Sequence, residues 1–261
     1  MKKTILIPVL TLVILMFSET GSIAQEQLFD GKSLKGWYTF LQHRGRDHDP
    51  KNVFTVQDGM IRISGEEWGC ITTDAEYENY TIVLEFKWGK LTHKPRLENA
   101  RDSGLLLHSQ GEDGGSQGIW MHSIECQMIE GGTGDFIVVG NGSDAFQITC
   151  NVRTDPGGNH YFTQESGHSQ TIKEGRINWW GRDPQWEDVL GFRGTQDVEK
   201  LPGEWNTLEC IASGDEITVK LNGVLINKAT AVKPSKGRIQ IQSEAAEVFI
   251  RKVELRPLSL N

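Results

Sequence analysis

From about residue 52 onward, apolar and polar positions alternate in short runs of period two, the pattern of strands that bury one face. Tyr80, Ile82, Leu84 and Phe86 oppose Thr81, Val83, Glu85 and Lys87, and Ile217, Val219 and Leu221 oppose Glu216, Thr218 and Lys220. This pattern predicts strands at 52–56, 60–64, 69–73, 80–88, 103–109, 119–129, 145–152, 205–212, 215–221, 224–227, 237–243 and 247–256. Turn chemistry separates them: Asp58-Gly59, Ser213-Gly214-Asp215, and Asn222-Gly223 between two apolar runs, a hairpin signature. No helical period persists beyond a turn or two, and neither a repeat nor a linker is visible. Many short strands without alternating helices predict an all-β fold, a sandwich of two antiparallel sheets in one domain.

One stretch carries more than fold. Over residues 118–136, strict alternation would put Trp120, His122, Ile124, Cys126 and Met128 on one side and Ser123, Glu125 and Gln127 on the other. A carboxylate and an amide two positions apart then project together from a rigid sheet. A glycine-rich turn with Glu130 and Asp135 follows. Such a pair is costly to bury in a core and useful in a sugar-binding groove. His122 falls on the opposite phase from Glu125 unless a bulge intervenes, so packing is its expected role.

The amino terminus reads as an export signal over residues 1–24: Lys2 and Lys3, an apolar run from Ile5 to Phe17, and small residues at Ser22 and Ala24. The run is short for a membrane span, and the remaining chain, 25–261, is expected to be one secreted or periplasmic domain without a membrane association. Losing Lys2, Lys3 and Glu19 takes the formal net charge from −8 to −9. An acidic chain without a basic run argues against nucleic acid as a partner.

Cys70, Cys126, Cys150 and Cys210 match no zinc spacing, so buried free thiols are expected, with a Cys126–Cys150 bridge as the alternative. Three loops are long enough for function. Residues 41–51 carry His43, Arg44, Arg46 and His48; residues 89–102 carry His93, Lys94, Arg96, Arg101 and Asp102. Residues 153–204 hold Trp179, Trp180, Arg182 and Trp186, which suit either a sugar platform, with Trp180 as the candidate, or a small apolar cover.

Several segments resemble the 3-keto-disaccharide hydrolase family. The start from Leu28-Phe29-Asp30-Gly31 to Gly36-Trp37 is similar to its opening motif, as are Asp102-Ser103-Gly104-Leu105-Leu106-Leu107-His108, Ser123-Ile124-Glu125-Cys126-Gln127, Gly203-Glu204-Trp205-Asn206 and the ending from Gly237-Arg238 to Leu258. Together they run in family order along the chain after its signal. The resemblance implies a concanavalin-A-like jelly roll with ligand over a concave sheet. It also implies action on glycosides oxidised at C3, with an oligosaccharide or glucoside as substrate. His108 stands where relatives often carry Arg, a change that bears on substrate choice or adds a metal ligand.

A C3 ketone acidifies the C2 hydrogen, so a base that removes it lets the enolate expel the group at C1, and water adds afterwards. This elimination–hydration route needs a base, an enolate stabiliser and a proton donor. Glu125 is the candidate base, Gln127 the candidate holder of sugar hydroxyls, Lys87 or a divalent metal ion the enolate stabiliser, and His108 the proton donor. Glu85, Gln240, Gln242 and Arg251 are expected on the same face. For Glu85 and Lys87 the competing reading is a solvated ion pair; for His108 it is a half-buried ring bonded to backbone. His108, Glu125 and Asp135 are the candidate metal ligands, Asp135 being equally suited to plain turn chemistry. A non-catalytic sugar-binding module and a conventional glucanase are the competing functions. The latter is poorly served, because Glu130 already lies in the turn.

Overall fold

The computed structural model describes residues 25–258, so the segment read as an export signal lies outside the described residues. The alternation becomes two antiparallel sheets packed face to face, the all-β jelly-roll sandwich that the pattern predicts. Along Asn206–Ser213 and Glu216–Leu221 every second residue is buried, so the eleven-stranded sheet turns one face inward and the other to solvent. The nine-stranded sheet behaves differently. Its central strands, Asp102–Gln110 and His122–Ile129, are buried along nearly their whole length. Something beyond the core therefore covers their second face.

Two apolar clusters account for the two faces. Ile124, Cys126 and Met128 point inward with Leu105 and Leu107, against Ile82, Leu84, Phe86 and Leu208 of the other sheet. Cys70, Leu106, Ile119, Trp120 and Val139 form a smaller cluster on the outer side. Glu125 and Gln127, on the opposite parity from the inward set, stand among that outer cluster.

The remaining strands of the nine-stranded sheet frame this face. On one flank lie Phe136–Val139 and then Gly175–Ile177; on the other lie Lys236–Ser243, Gly69–Thr73, Trp37–Leu41 and Gly45–Arg46. Phe136–Val139 and Trp37–Leu41 are strands beyond those the alternation predicts. Residues 153–204 also contribute three short strands, His160–Phe162, His168–Ile172 and Gly175–Ile177, the last of which extends the nine-stranded sheet.

The strand expected over 119–129 begins at His122, and its register with Asp102–Gln110 shifts between His122 and Ile124. Trp120 sits in the preceding loop, bridged to Ser116, and so joins the Glu125 side rather than the interior. All four cysteines are free and buried. Cys126 and Cys150 belong to different sheets, so their strands are not the neighbours that a bridge would need. Among the described residues no helix is long and apolar enough to cross a membrane.

Candidate active site

Cross-strand register builds the floor of the site. Glu125 lies opposite Leu106 on one side and Ile137 on the other; Ile137 pairs with Arg176, and Leu106 with Gln240. Directly paired residues share a face, so Gln240, Leu106, Glu125, Ile137 and Arg176 form one row. In the adjacent row Gln127 lies opposite Gly104. A cavity of about 590 Å³ opens over this floor, a size suited to a small ligand. Asp102, Trp120, Glu125, Gln127, Arg176 and Gln242 line it, with Glu174 and Glu244 also at its wall.

Gly104 explains how the polar groups converge. A Cβ at this position would lie 2.3 Å from Glu125 Oε1 and 2.3 Å from Gln242 Oε1, so the absent side chain is the space both occupy. Gln242 Oε1 is buried and has no hydrogen-bond partner among the described residues. An unpaired buried acceptor is costly unless a ligand completes it. Gln127 is held: its Nε2 donates to Asp102 Oδ1 at 2.6 Å, while Arg96 Nη2 reaches Asp102 Oδ2 at 3.1 Å.

The electrostatics are those of crowded carboxyls. Glu125 is only 4 % exposed; burial, reinforced by Asp102, raises its pKa to about 8, with Arg176 opposing the shift. Burial and then Glu244 push Asp102 well above the usual carboxylate range. Half-buried Glu244 rises to about 8 through burial and the nearby Glu125. Arg176 is a cation of the group, tethered by Nη1 to Asp135 Oδ2 at 2.7 Å. The arrangement holds carboxyls raised toward neutrality between two cations, Arg176 and the Arg96 that pairs with Asp102.

Of the residues singled out from the sequence, Glu125, Gln127 and Gln242 meet in this cavity. Glu85, Lys87 and Arg251 do not. They lie on Tyr80–Thr92 and Ala246–Pro257 of the other sheet, on its outer face, where Arg251 Nε donates to Glu85 Oε2 at 2.5 Å. Lys87 and Arg251 there flank the Trp205 ring at 4.9 and 4.4 Å. His108 also turns away. Its backbone is left-handed (φ 55), its buried ring meets Tyr80 edge-on, and Nδ1 bonds the Pro234 carbonyl at 2.8 Å. Burial lowers its pKa to about 4, so it is a neutral packing residue.

Trp180 is likewise committed elsewhere, donating its indole N–H to the Leu225 carbonyl at 2.8 Å and packing against Trp179. Asp135 is fully buried and engaged by Arg176, Arg182 and the Trp179 amide. His108, Glu125 and Asp135 therefore form no common ligand set. Among the described residues no group of three or more His, Cys, Asp or Glu is arranged to hold a metal ion.

Asp102, Arg176 and Glu244 complete the site without having been singled out as site residues from the sequence. Asp102 carried a signal, as the first residue of the Asp-Ser-Gly motif. Arg176 carried none, since a three-residue strand inside a long segment has no readable period.

Two solved structures from Parabacteroides distasonis ATCC 8503, each provisionally assigned as a glycosyl hydrolase, share the architecture. One is 17 % identical with a TM-score of 0.53, over 90 % of this chain and 94 % of that one. The other is 20 % identical with a TM-score of 0.51, over 90 % of this chain and all of the other. At these identities the likeness concerns the fold. No functionally curated protein matches the chain. The sequence profile of the 3-keto-alpha-glucoside-1,2-lyase-like domain does match, over residues 24–256, and the chain therefore belongs to that family.

Proposed function

We propose that this protein, exported on the strength of its amino-terminal segment, cleaves the glycosidic bond of 3-keto-glycosides by elimination and hydration. The observation that carries the reading is Glu125, a carboxyl buried at the floor of the cavity that Arg176 also lines, where burial pushes its pKa up to about 8. As a carboxylate, Glu125 takes the C2 proton, and the bonding pair moves toward C3 to give an enolate. Arg176, in the role first expected of Lys87, meets the charge on the enolate oxygen. The enolate then restores the C3 carbonyl, a C1–C2 double bond forms, and the C1–O bond breaks. Glu244, protonated at neutral pH, gives the departing oxygen its proton. Water adds across the double bond, and Gln127 and Gln242 hold the ring hydroxyls.

Only a minority of Glu125 is ionised at pH 7, but that fraction is a stronger base than an ordinary carboxylate, because basicity rises with pKa. Incubation with a 3-keto-glucoside and with its unoxidised parent tests the proposal. Release of the aglycone from the keto compound alone is expected. Equal release from the parent would make the protein an ordinary glycosidase, and binding without release from either would make it a sugar-binding module.

Gly104→Ala follows from the same geometry. Its methyl group would displace both the Glu125 carboxyl and the Gln242 amide, and a misplacement of about 1 Å costs on the order of 10²-fold in rate. The obstructing atoms are side-chain ends, so kcat is expected to fall by about that factor while the thermal unfolding midpoint moves only a few degrees.

A further inference from the structure

Arg96 bridges Asp102, on the cavity wall, to Asp188 in the long segment 153–204. Asp102 lines the cavity; Arg96 and Asp188 do not. The half-buried Asp188 carboxylate takes both tips of the guanidinium, Arg96 Nη2 reaching Oδ1 at 3.0 Å and Nη1 reaching Oδ2 at 3.3 Å. A planar cation gripped at two nitrogens by one carboxylate is fixed in orientation as well as in place, which a single contact does not achieve. Arg96 has little else to hold it. Nη2 also donates to the Ala100 carbonyl at 3.0 Å, and Nε is buried without a partner among the described residues.

Asp188 holds the backbone beside Arg96 as well. Its Oδ1 accepts from the Ala100 amide at 3.1 Å, and its Oδ2 from Asn99 Nδ2 at 2.8 Å. One side chain thus ties down residues 96, 99 and 100, immediately before the strand Asp102–Gln110 begins. From there the contacts run inward. Arg96 Nη2 meets Asp102 Oδ2 at 3.1 Å, and Asp102 Oδ1 accepts from Gln127 Nε2 at 2.6 Å. Gln127, at the cavity floor, is therefore anchored by a carboxyl that is itself anchored by a cation, and the cation by Asp188.

We infer that Asp188 is a positioning residue of the site: by fixing Arg96 it fixes Asp102, and through Asp102 the side-chain amide of Gln127. Besides Arg176, the segment 153–204 thus supplies a residue that acts on the ligand without meeting it. The inference rests on the proposed function only for what Gln127 holds, the ring hydroxyls of the substrate. A contact made equally to substrate and transition state governs binding, so losing its support raises KM and leaves kcat nearly unchanged.

Kinetics on a 3-keto-glucoside test it in wild type, Asp188→Ala, Gln127→Ala and the double variant. Asp188→Ala is expected to raise KM about tenfold with kcat held within about threefold. In the Gln127→Ala background the same substitution is expected to move KM by less than about twofold, because both changes act on one contact. A KM unchanged in Asp188→Ala overturns the inference, as does a full tenfold rise in the Gln127→Ala background or a loss confined to kcat. Should Asp188→Ala fail to fold, Asp188→Asn, which keeps one acceptor oxygen, is expected to raise KM about threefold, and no rise there overturns the inference equally.

A second measurement needs no substrate. The side-chain amide protons of Gln127, buried and bonded to Asp102, are followed by hydrogen exchange in NMR spectra of wild type and the Asp188 variant. They are expected to exchange about tenfold faster in the variant, while the backbone amides of Glu216–Leu221, in the other sheet, keep their rates. Equal exchange in both proteins, or a uniform acceleration across both sheets, refutes the inference. If no keto substrate is cleaved, the proposed reaction fails, and the role of Asp188 is decided by this exchange.

Discussion

Glu125→Gln is expected to lower turnover of 3-keto-glucosides by about 10³-fold while leaving the sandwich folded. A positioned general base contributes on the order of 10²–10⁴-fold, and an amide of the same shape cannot accept the C2 proton. The substitution suits the site sterically, since glutamine fills the volume that Gly104 leaves open. It also removes a carboxyl that is crowded by Asp102 and itself crowds Glu244. Single-turnover release of aglycone gives the rate, and far-UV circular dichroism reports the fold. Activity within a few-fold of wild type would take Glu125 out of the chemistry, and a binding module would tolerate the change altogether.

The same variant should reveal what the raised pKa costs the fold. Below about pH 4.5 the Glu125 carboxyl keeps its proton in both folded and unfolded chains, and its ionisation contributes nothing. Between pH 4.5 and about 8 only the unfolded chain releases the proton, so folded stability declines as pH rises through this window. Glutamine has no proton to release. Glu125→Gln should therefore gain on wild type as pH rises, by on the order of a few kcal/mol at pH 8, read as diverging urea midpoints between pH 5 and pH 8. The rate constant kcat/KM of wild type should climb with pH toward about 8, as Glu125 ionises, and fall above it, as Glu244 loses the proton it donates. A limb near 4.5 would mean that Glu125 is not the base.

Which face Glu125 occupies was legible because its neighbours Ile124, Cys126 and Met128 alternate without interruption, and period two needs nothing else to assign parity. The same reasoning misplaced Glu85, Lys87 and Arg251. Parity says which residues of a strand stay together, not which sheet the strand joins. Tyr80–Thr92 pairs with Asn206–Ser213 and Ala246–Pro257, partners more than 100 residues away. His108 failed for a local reason, a left-handed backbone that breaks alternation within a strand whose composition gives no warning. Arg176 was hidden because its position depends on a chain of registers, Glu125 to Ile137 to Arg176, of which only the first strand had a readable pattern.

Asp135→Ala should cost about 3–5 kcal/mol of stability, because it removes the acceptor of a buried charge network. The Asp135 carboxylate accepts from Arg176 Nη1 at 2.7 Å, the Trp179 amide at 2.8 Å, and Arg182 Nη1. Arg182 is only 7 % exposed. It lies over the Trp186 ring at 4.2 Å and against Gly132, whose missing side chain gives its guanidinium room. Alanine would leave this cation desolvated and unpaired. Asparagine keeps one acceptor oxygen and should cost about half as much, so its folded state is the one to use for kinetics. Freed from Asp135, Arg176 is drawn toward Asp102 and Glu125, and a closer cation lowers the pKa of a carboxyl. The rising limb of kcat/KM in Asp135→Asn should therefore move below pH 8, accompanied by a lower kcat because the enolate oxygen loses its fixed partner. An unfolding midpoint and a pH limb both matching wild type would show that Asp135 neither supports the fold nor positions Arg176.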